Sequence, residues 1–212
     1  MTKITKTVSL LSFILFISCG QKDPNKNIDE GNVKNDIYKS PEIGWTIEIP
    51  KGWSVVSKDQ IAENEEKGQK AIEKTSGQKV DVQNLKHLIS FQKDKFNFFA
   101  STSEPVQEEY PGEYQKNNKM LQSLIYQTYL DNRIKADTSS GKEIIGGIEF
   151  NTFYITIYAP DSDRVLLNQI MYNKLINGYD FGVNINYNNE EAKKAMIGAF
   201  AKSKFDVSKL KK

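Results

Sequence analysis

Apolar and polar residues alternate with a period of two over much of the chain after residue 36, and this pattern is typical of β-strands with one buried face. Segments with this pattern lie at 37–38, 45–49, 85–92, 96–102, 142–159, 166–176 and 179–187. Turn-forming residues at 41–44 and 93–95 divide the first four segments into two predicted hairpins. The pair Gly146-Gly147 lies inside the segment 142–159, where we expect a bulge or a close approach of the backbone.

The clearest turn signal is Asn177-Gly178, because both residues tolerate the positive φ that a type I′ hairpin turn requires. Pairing Ile176 with Tyr179 fixes the register of this last hairpin. The further predicted pairs are Lys174 with Phe181, Tyr172 with Val183, Ile170 with Ile185 and Asn168 with Tyr187. One face of the hairpin is then largely apolar, and the other carries the amides Gln169, Asn173, Asn184 and Asn186.

Three segments have the period and the boundary residues of α-helices. The first follows a capping serine, Ser57, and ends at Gly77; the second covers about 113–132; the third begins at Asn188. The apolar stripe of the second predicts one buried face, made of Tyr114, Leu121, Leu124, Ile125 and Thr128.

The order of these elements is hairpin, helix, hairpin, helix, three-stranded meander, helix. Because sequential strands joined by short turns pair antiparallel, this order predicts an α+β fold. We expect a mainly antiparallel sheet of about six strands flanked by helices, as a layered α/β/α sandwich.

The N-terminus has the three-part layout of an export signal. A basic segment at 1–6 precedes an apolar run at 8–17 and then Ser18-Cys19-Gly20. The apolar run is too short to cross a bilayer, since a transmembrane helix needs about 20 apolar residues. The segment could instead be an ordinary cleaved signal in which the cysteine occurs by chance, or an uncleaved membrane anchor.

The residues Phe16-Ile17-Ser18-Cys19 resemble the lipobox of bacterial lipoproteins, with Phe16 in place of the usual leucine. The resemblance implies a diacylglyceryl group on Cys19, cleavage before it and acylation, for example by palmitate, of the new amine. Two or three acyl chains would hold the protein stably on a membrane of the bacterial cell envelope. Gly20 is not the aspartate that resembles an inner-membrane retention signal, which favours the outer membrane, on its periplasmic or surface face.

The remaining chain divides into a polar linker and one domain. We predict a signal peptide at 1–18, a lipidated Cys19 with a flexible tether at 19–35, and a single domain at 36–212. The tether has only Ile28 and Val33 as large apolar residues, too few to order a segment by burial.

Several turn and core residues resemble the PsbP/DcrB-like family. An N-terminal hairpin runs through Gly44-Trp45 to Pro50-Lys51-Gly52-Trp53, and the C-terminal helix closes in Ser203-Lys204-Phe205. The resemblance spans about 36–206 and implies the fold of that family. It carries no catalytic motif, so it implies a scaffold for binding and assembly.

Composition excludes several kinds of site. One cysteine and one histidine in 212 residues cannot form a disulfide, a thiolate zinc site or a multi-histidine metal site, and we expect no cofactor. The net charge is +2, and both excess positive charges lie within the first 18 residues. The rest of the chain therefore has no net charge, which argues against a nucleic-acid partner.

The candidate sites have simpler structural explanations beside them. His87 is the only imidazole, and on a strand it is more often a packing residue than a catalytic one. Alternation places His87 on the same side as Leu85, Ile89 and Phe91. Asp161 and Asp163 could offer two carboxylates to one divalent cation, and Trp45 and Trp53 could anchor a protein partner. The amide face of the last hairpin could bind a polar ligand. A cation or a basic partner could bind the acidic run Glu104, Glu108, Glu109 and Glu113.

The sequence therefore predicts a non-catalytic, membrane-anchored envelope lipoprotein that presents a binding or assembly domain to a protein partner. The alternative is an envelope ligand-binding protein or hydrolase that uses the His87 region or the amide face.

Overall fold

The structure is a computed structural model that describes residues 23–206 and 208. Within these residues the chain forms a short 3₁₀ helix at Pro24–Asn27, three α-helices and eleven strands. The helices are α1 (Lys58–Ser76), α2 (Glu113–Asp131) and α3 (Glu190–Ala201). The strands are β1 (Asn32–Lys34), β2 (Ile37–Ser40), β3 (Trp45–Glu48), β4 (Ser54–Val55), β5 (Lys86–Gln92), β6 (Phe98–Pro105), β7 (Ala136–Ile145), β8 (Ile148–Tyr158), β9 (Val165–Ile176), β10 (Tyr179–Tyr187) and β11 (Lys204–Phe205).

The strands form two antiparallel sheets. The larger has seven strands in the order β4-β5-β6-β10-β9-β8-β7, and the smaller has four in the order β1-β2-β3-β11. The predicted α+β class with an antiparallel, helix-flanked sheet is confirmed. The described residues form eleven strands, whereas the sequence predicted about six. The smaller sheet and α3 both cover the same face of the seven-stranded sheet.

The main core lies between the two sheets and α3. Trp45 is fully buried at its centre, with the rings of Tyr38, Phe181 and Phe200 at centroid distances of 5.8, 4.9 and 6.2 Å. Trp53 is partly buried against the same core. Aromatic side chains bury more apolar area than any others, so this cluster is the main source of the domain's stability.

The other face of the seven-stranded sheet is covered by α1 and α2. A smaller apolar cluster lies there, in which Phe153 and Ile155 of β8 pack against Ile125 and Tyr129 of α2. Ile61 is the buried residue of α1, and Tyr114 and Asn118 are those of α2. The predicted stripe of α2 is therefore only partly correct, because Leu121 is 43% exposed.

The register of the last hairpin is as predicted, from Ile176 opposite Tyr179 to Asn168 opposite Tyr187. Asn177 and Gly178 have φ values of 54° and 80°, the values that a type I′ turn needs at both central positions.

Gly146-Gly147 forms a second hairpin turn rather than a bulge. It joins Ile145 and Ile148, which face each other, and both glycines have positive φ. The strand before it, β7, is mostly exposed and polar, so it lacks the alternation that marks a half-buried strand. The predicted three-stranded meander therefore has four strands.

A bulge in β5 changes the face on which His87 lies. His87 opposes Thr102 and Ser90 opposes Ala100, so two residues of β5 face one residue of β6 between them. Ile89 and Phe91 consequently enter the main core, whereas His87 faces the opposite side of the sheet. Strict alternation predicted one side for all three.

Residues 23–35, assigned to a flexible tether by composition, lie against the domain in the structure. Ile28 and Val33 are 8% and 9% exposed and belong to the main core. The Asn25 side chain accepts a hydrogen bond from Val33 N at 2.7 Å and donates one to Val33 O at 3.1 Å. Two buried apolar residues with these local bonds are enough to dock the segment.

The helix boundaries follow the expected caps with one shift. Ser57 caps α1, and Gly77 ends it with a φ of 69°. The cap of α3 is Asn189 rather than Asn188, because the Asn189 side chain accepts from Ala192 N at 2.8 Å. Among the described helices, none is both long enough and apolar enough to cross a membrane.

Candidate functional site

A cavity of about 450 Å³ lies between the seven-stranded sheet and the helices α1 and α2. Its floor is formed by β5, β6, β8, β9 and β10, and its roof by the two helices. This volume lies within the range of sites that hold small organic ligands. We call it the helix–sheet cavity.

The strand registers arrange the floor of the helix–sheet cavity in three rows. The first row contains Glu104 and Asp180, which face each other on β6 and β10. The second row contains His87, Thr102, Gly182 and Asn173. The third row contains Ser90, Ala100, Asn184, Met171 and Phe153. The floor thus changes from an acidic row to a polar row and then to a row that includes Ala100, Met171 and Phe153, over about 14 Å, since residues rise about 3.4 Å each along a strand.

The acidic row is linked to α2 through a tyrosine. The buried Tyr114 hydroxyl donates a hydrogen bond to Asp180 Oδ1 at 2.7 Å. Burial raises the pKa of the Asp180 carboxyl, and the Tyr114 hydrogen bond offsets part of that rise. Burial also raises the pKa of Glu104, and the negative charges of Asp180 and Asp81 raise it further. These two carboxyls therefore lie where ionisation is unfavourable.

Two amides in the helix–sheet cavity have polar atoms without hydrogen bonds. Asn173 Nδ2 donates to Asn118 Oδ1, which joins the sheet to α2. The Asn118 amide also lies beside the Tyr114 hydroxyl, but its Nδ2 forms no hydrogen bond of normal geometry within the described residues. Asn184 Oδ1 is likewise buried without a donor. A buried donor and a buried acceptor without partners are each unfavourable unless a bound molecule satisfies them.

His87 faces the helix–sheet cavity together with a carboxylate from the roof. Its Nε2 lies 3.2 Å from Glu65 Oε2 of α1, and the two side chains are 22% and 27% exposed. The pair forms the wall nearest α1. Phe98 of β6, with Ile125 of α2, extends the apolar end.

The structure brings together some of the residues predicted to form a site and separates others. Asn173, Asn184 and His87 line one cavity, although the amide face and His87 are distant in sequence. Gln169 and Asn186 do not line it, because Gln169 Nε2 donates to Asn186 Oδ1 at 2.8 Å and Gln169 Oε1 accepts from the Tyr129 hydroxyl at 2.5 Å. Cys19 lies outside the described residues.

The remaining candidates have local roles. Asp161 has a φ of 55° in the turn between β8 and β9, and Asp163 pairs with Lys135 at 2.5 Å. In the acidic run, Glu108 accepts from Tyr114 N at 2.9 Å and thereby satisfies a free N–H in the first turn of α2. Within residues 23–206 and 208, no group of three histidine, cysteine or acidic side chains is placed to hold a metal ion.

Asp180, Tyr114 and Asn118 were not predicted from the sequence as residues of a site. The available signal was alternation along β10, because Asp180 has the same parity as Asn184 and therefore lies on the amide face. Asn118 lies four residues after Tyr114, on the same side of α2. That Asn118 faces the sheet could be recognised only from the position of α2 relative to the sheet.

Comparison by sequence finds no matching family model and no matching curated protein. Comparison by structure finds the solution structure of cyanobacterial PsbP (CyanoP) from Synechocystis sp. PCC 6803. The match has a TM-score of 0.53 at 10% identity and covers 84% of this chain and 98% of that chain.

The domain has a PsbP-like fold. At this identity the likeness concerns the fold alone, and the expected PsbP resemblance is confirmed at that level. Residues 23–35 contribute Ile28 and Val33 to the core of the described structure. Because a shared fold does not imply a shared function, the function depends on the chemistry of the helix–sheet cavity.

Proposed function

We propose that the protein is a lipoprotein of the bacterial cell envelope, anchored through Cys19, whose PsbP-like domain binds a small ligand in the helix–sheet cavity. The observation that carries the binding role is a cavity of about 450 Å³ whose lining combines apolar side chains with the carboxyls of Glu104 and Asp180.

The helix–sheet cavity is partly open to solvent, so a molecule can enter it from outside. Its lining combines apolar side chains with a few converging polar groups, among them Glu104, Asp180 and Asn173, which is typical of small-ligand sites. Ligand binding therefore explains this lining best.

The lipid anchor would hold the domain close to the membrane. Residues 20–22 alone separate Cys19 from Asp23, where the described chain begins. Four residue steps span at most about 14 Å when fully extended. The domain would therefore lie against the headgroup layer, rather than at the end of a tether of some 16 residues.

The anchor is tested by intact mass and detergent partitioning of the protein from its own cells, compared with Cys19→Ala. A mature mass increased by acyl chains and lost in the variant supports lipidation. A soluble, unmodified wild-type product contradicts it.

The binding role is tested by exposing the protein to the low-molecular-weight fraction of its own cells and identifying what it retains. The control is Gly182→Val, which places three carbon atoms in the middle row of the cavity floor. Retention of a compound by the wild type and not by Gly182→Val supports the proposal. Equal retention by both proteins contradicts it.

A protein partner is a second candidate function, favoured by apolar side chains at the surface of α2. Met120 is 61% exposed and Leu121 is 43% exposed. Such residues are typical of contact surfaces. A photo-crosslinker at position 120 should form a specific adduct that one at Ile144, which is 74% exposed on β7, does not form. Equal crosslinking at both positions would indicate nonspecific contact.

We propose no catalytic role. Catalysis by His87 would need a nucleophile within hydrogen-bond reach of its ring, and in the described structure the side-chain hydrogen bond of that ring is to Glu65. That the protein is not an enzyme stays a prediction, and measured hydrolysis that is lost in His87→Gln would contradict it.

A further inference from the structure

The charge around the helix–sheet cavity has one sign. Glu65, Glu104 and Asp180 line it, and the lining residues of the described chain include no lysine or arginine. His87 is the one basic side chain there, and it already contacts Glu65. A ligand that enters this space meets carboxylates without fixed cations to balance them.

The two carboxyls of the first row face each other directly. Glu104 and Asp180 are paired across β6 and β10, and their side chains lie on the same face of the sheet. Like charges opposite each other on neighbouring strands are destabilising. The hydroxyl of Tyr114 satisfies one oxygen of Asp180 but supplies no charge. A cation between Glu104 and Asp180 would convert this repulsion into two charge-assisted hydrogen bonds.

One unpartnered polar side chain lies close to the acidic row. Asn118 is 9% exposed and lines the helix–sheet cavity beside Tyr114, and its Nδ2 forms no hydrogen bond of normal geometry within the described residues. Asn184 Oδ1 also lacks a donor, but it lies two rows away. The unpartnered polar group nearest Asp180 is therefore that of Asn118.

The opposite end of the helix–sheet cavity is apolar. Phe98, Ile125, Phe153 and Met171 contribute side chains there without ionisable groups. An apolar body bound at this end would remove its surface from water, which contributes roughly 25 cal/mol per Å².

We propose that the ligand is an organic amine with an apolar body, whose ammonium group lies between Asp180 and Glu104 and whose body extends over the apolar rows. The inference rests on the proposed function, because it assigns the ligand class of the helix–sheet cavity. It requires the cavity to be a binding site. It adds that the ligand is positively charged and that its charged end lies at the acidic row.

Three probes with one apolar body separate charge from shape: 4-phenylbutylamine, 4-phenylbutanol and 4-phenylbutyrate. Binding of each is measured by calorimetry on the protein isolated from its own cells, held in phosphatidylcholine nanodiscs. Empty nanodiscs provide the correction for partitioning into lipid. The wild type should bind the amine about 10- to 100-fold more tightly than the alcohol, as expected for charge-assisted hydrogen bonds, and the carboxylate least.

Asp180→Asn removes the charge but keeps an acceptor for the Tyr114 hydroxyl. It should weaken amine binding about 10-fold and weaken alcohol binding much less, because the alcohol carries no charge. The matched control is Asp137→Asn, because Asp137 Oδ2 also accepts from a tyrosine, the Tyr158 hydroxyl, at 2.7 Å, but it lies outside the helix–sheet cavity. Asp137→Asn should bind all three probes as the wild type does.

The outcomes distinguish this inference from the proposed function. Equal binding of amine and alcohol by the wild type, or tighter binding of the carboxylate, overturns the ligand class and leaves the cavity as a binding site. If Gly182→Val binds the three probes as well as the wild type does, they bind elsewhere, and both the ligand class and the cavity site are overturned. Loss of amine preference in Asp137→Asn as well would overturn the assignment of the ammonium group to Asp180.

Discussion

Replacing Asp180 with asparagine should make the protein more stable at neutral pH. The side chain is a largely buried carboxyl opposite Glu104, and burial raises its pKa. Two carboxylates about 5 Å apart across a strand pair repel each other by about 1 to 3 kcal/mol at effective dielectric constants of 80 to 20. Loss of the charge weakens the Tyr114 hydrogen bond by about 1 kcal/mol. The net expected gain at pH 7 is about 1 kcal/mol in the free energy of unfolding.

The pH dependence of this difference follows from the direction of the pKa shift. An aspartate has a pKa of about 3.9 in the unfolded chain, and the folded value for Asp180 is higher. As the pH falls below the folded pKa, the native state takes up the proton first, so the wild type loses its penalty. The advantage of Asp180→Asn should therefore be larger at pH 7 than at pH 4, and it should disappear once the pH falls below the unfolded value.

The assay is urea unfolding followed by the fluorescence of the buried Trp45, for the wild type, Asp180→Asn and the surface control Asp137→Asn at pH 7 and pH 4. The reasoning is refuted if Asp180→Asn is less stable than the wild type at pH 7. It is also refuted if the difference between the two proteins is the same at both pH values. The first result would mean that the ionised carboxyl stabilises the fold through Tyr114 more than its burial and Glu104 oppose it. The second would mean that ionisation of Asp180 makes no net contribution to stability.

Three further substitutions test other parts of the structure. Gly182→Val should leave the protein folded, because valine favours a strand and Thr102 Oγ1, 3.2 Å from the new Cβ, has to shift by only a few tenths of an ångström. By filling the middle row it should weaken probe binding at least about 10-fold in calorimetry. Trp45→Ala should lower the free energy of unfolding by about 3 to 5 kcal/mol in urea titrations, since it empties the centre of the aromatic core. Asn25→Ala removes both hydrogen bonds to Val33, so hydrogen exchange should become faster across residues 23–35 and stay unchanged in β10.

The parts of the fold that the sequence predicted are those set by local chemistry. The turn Asn177-Gly178 determined the register of the last hairpin through Tyr187, because its backbone angles permit one strand pairing. Ser57 and Gly77 bounded α1 for similar local reasons. The type I′ turn and the caps depend on neighbours within a few residues, which a single sequence contains.

The parts that the sequence did not predict depend on distant neighbours. The bulge in β5 allows the consecutive residues Leu88 and Ile89 both to enter the main core, and it moves His87 to the other face. Docking of residues 23–35 depends on a hydrophobic groove for Ile28 that other elements form. Glu104 and Asp180 are 76 positions apart, and only the order β6-β10 within the sheet makes them neighbours.

The weakness of the helical signals in the sequence and the existence of the cavity have one physical cause. A helix that seals a sheet needs a continuous apolar stripe, whereas α1 buries Ile61 and α2 buries Tyr114 and Asn118. Because so few apolar side chains point inward, the two helices cover the sheet without filling the space above Gly182. A core helix would have leucine or isoleucine where α2 has Asn118, and the cavity would close. The polar inward positions of α2 are therefore a sequence feature expected of a binding site roof, and replacing Asn118 with leucine should fill the space beneath α2 and abolish amine binding in calorimetry.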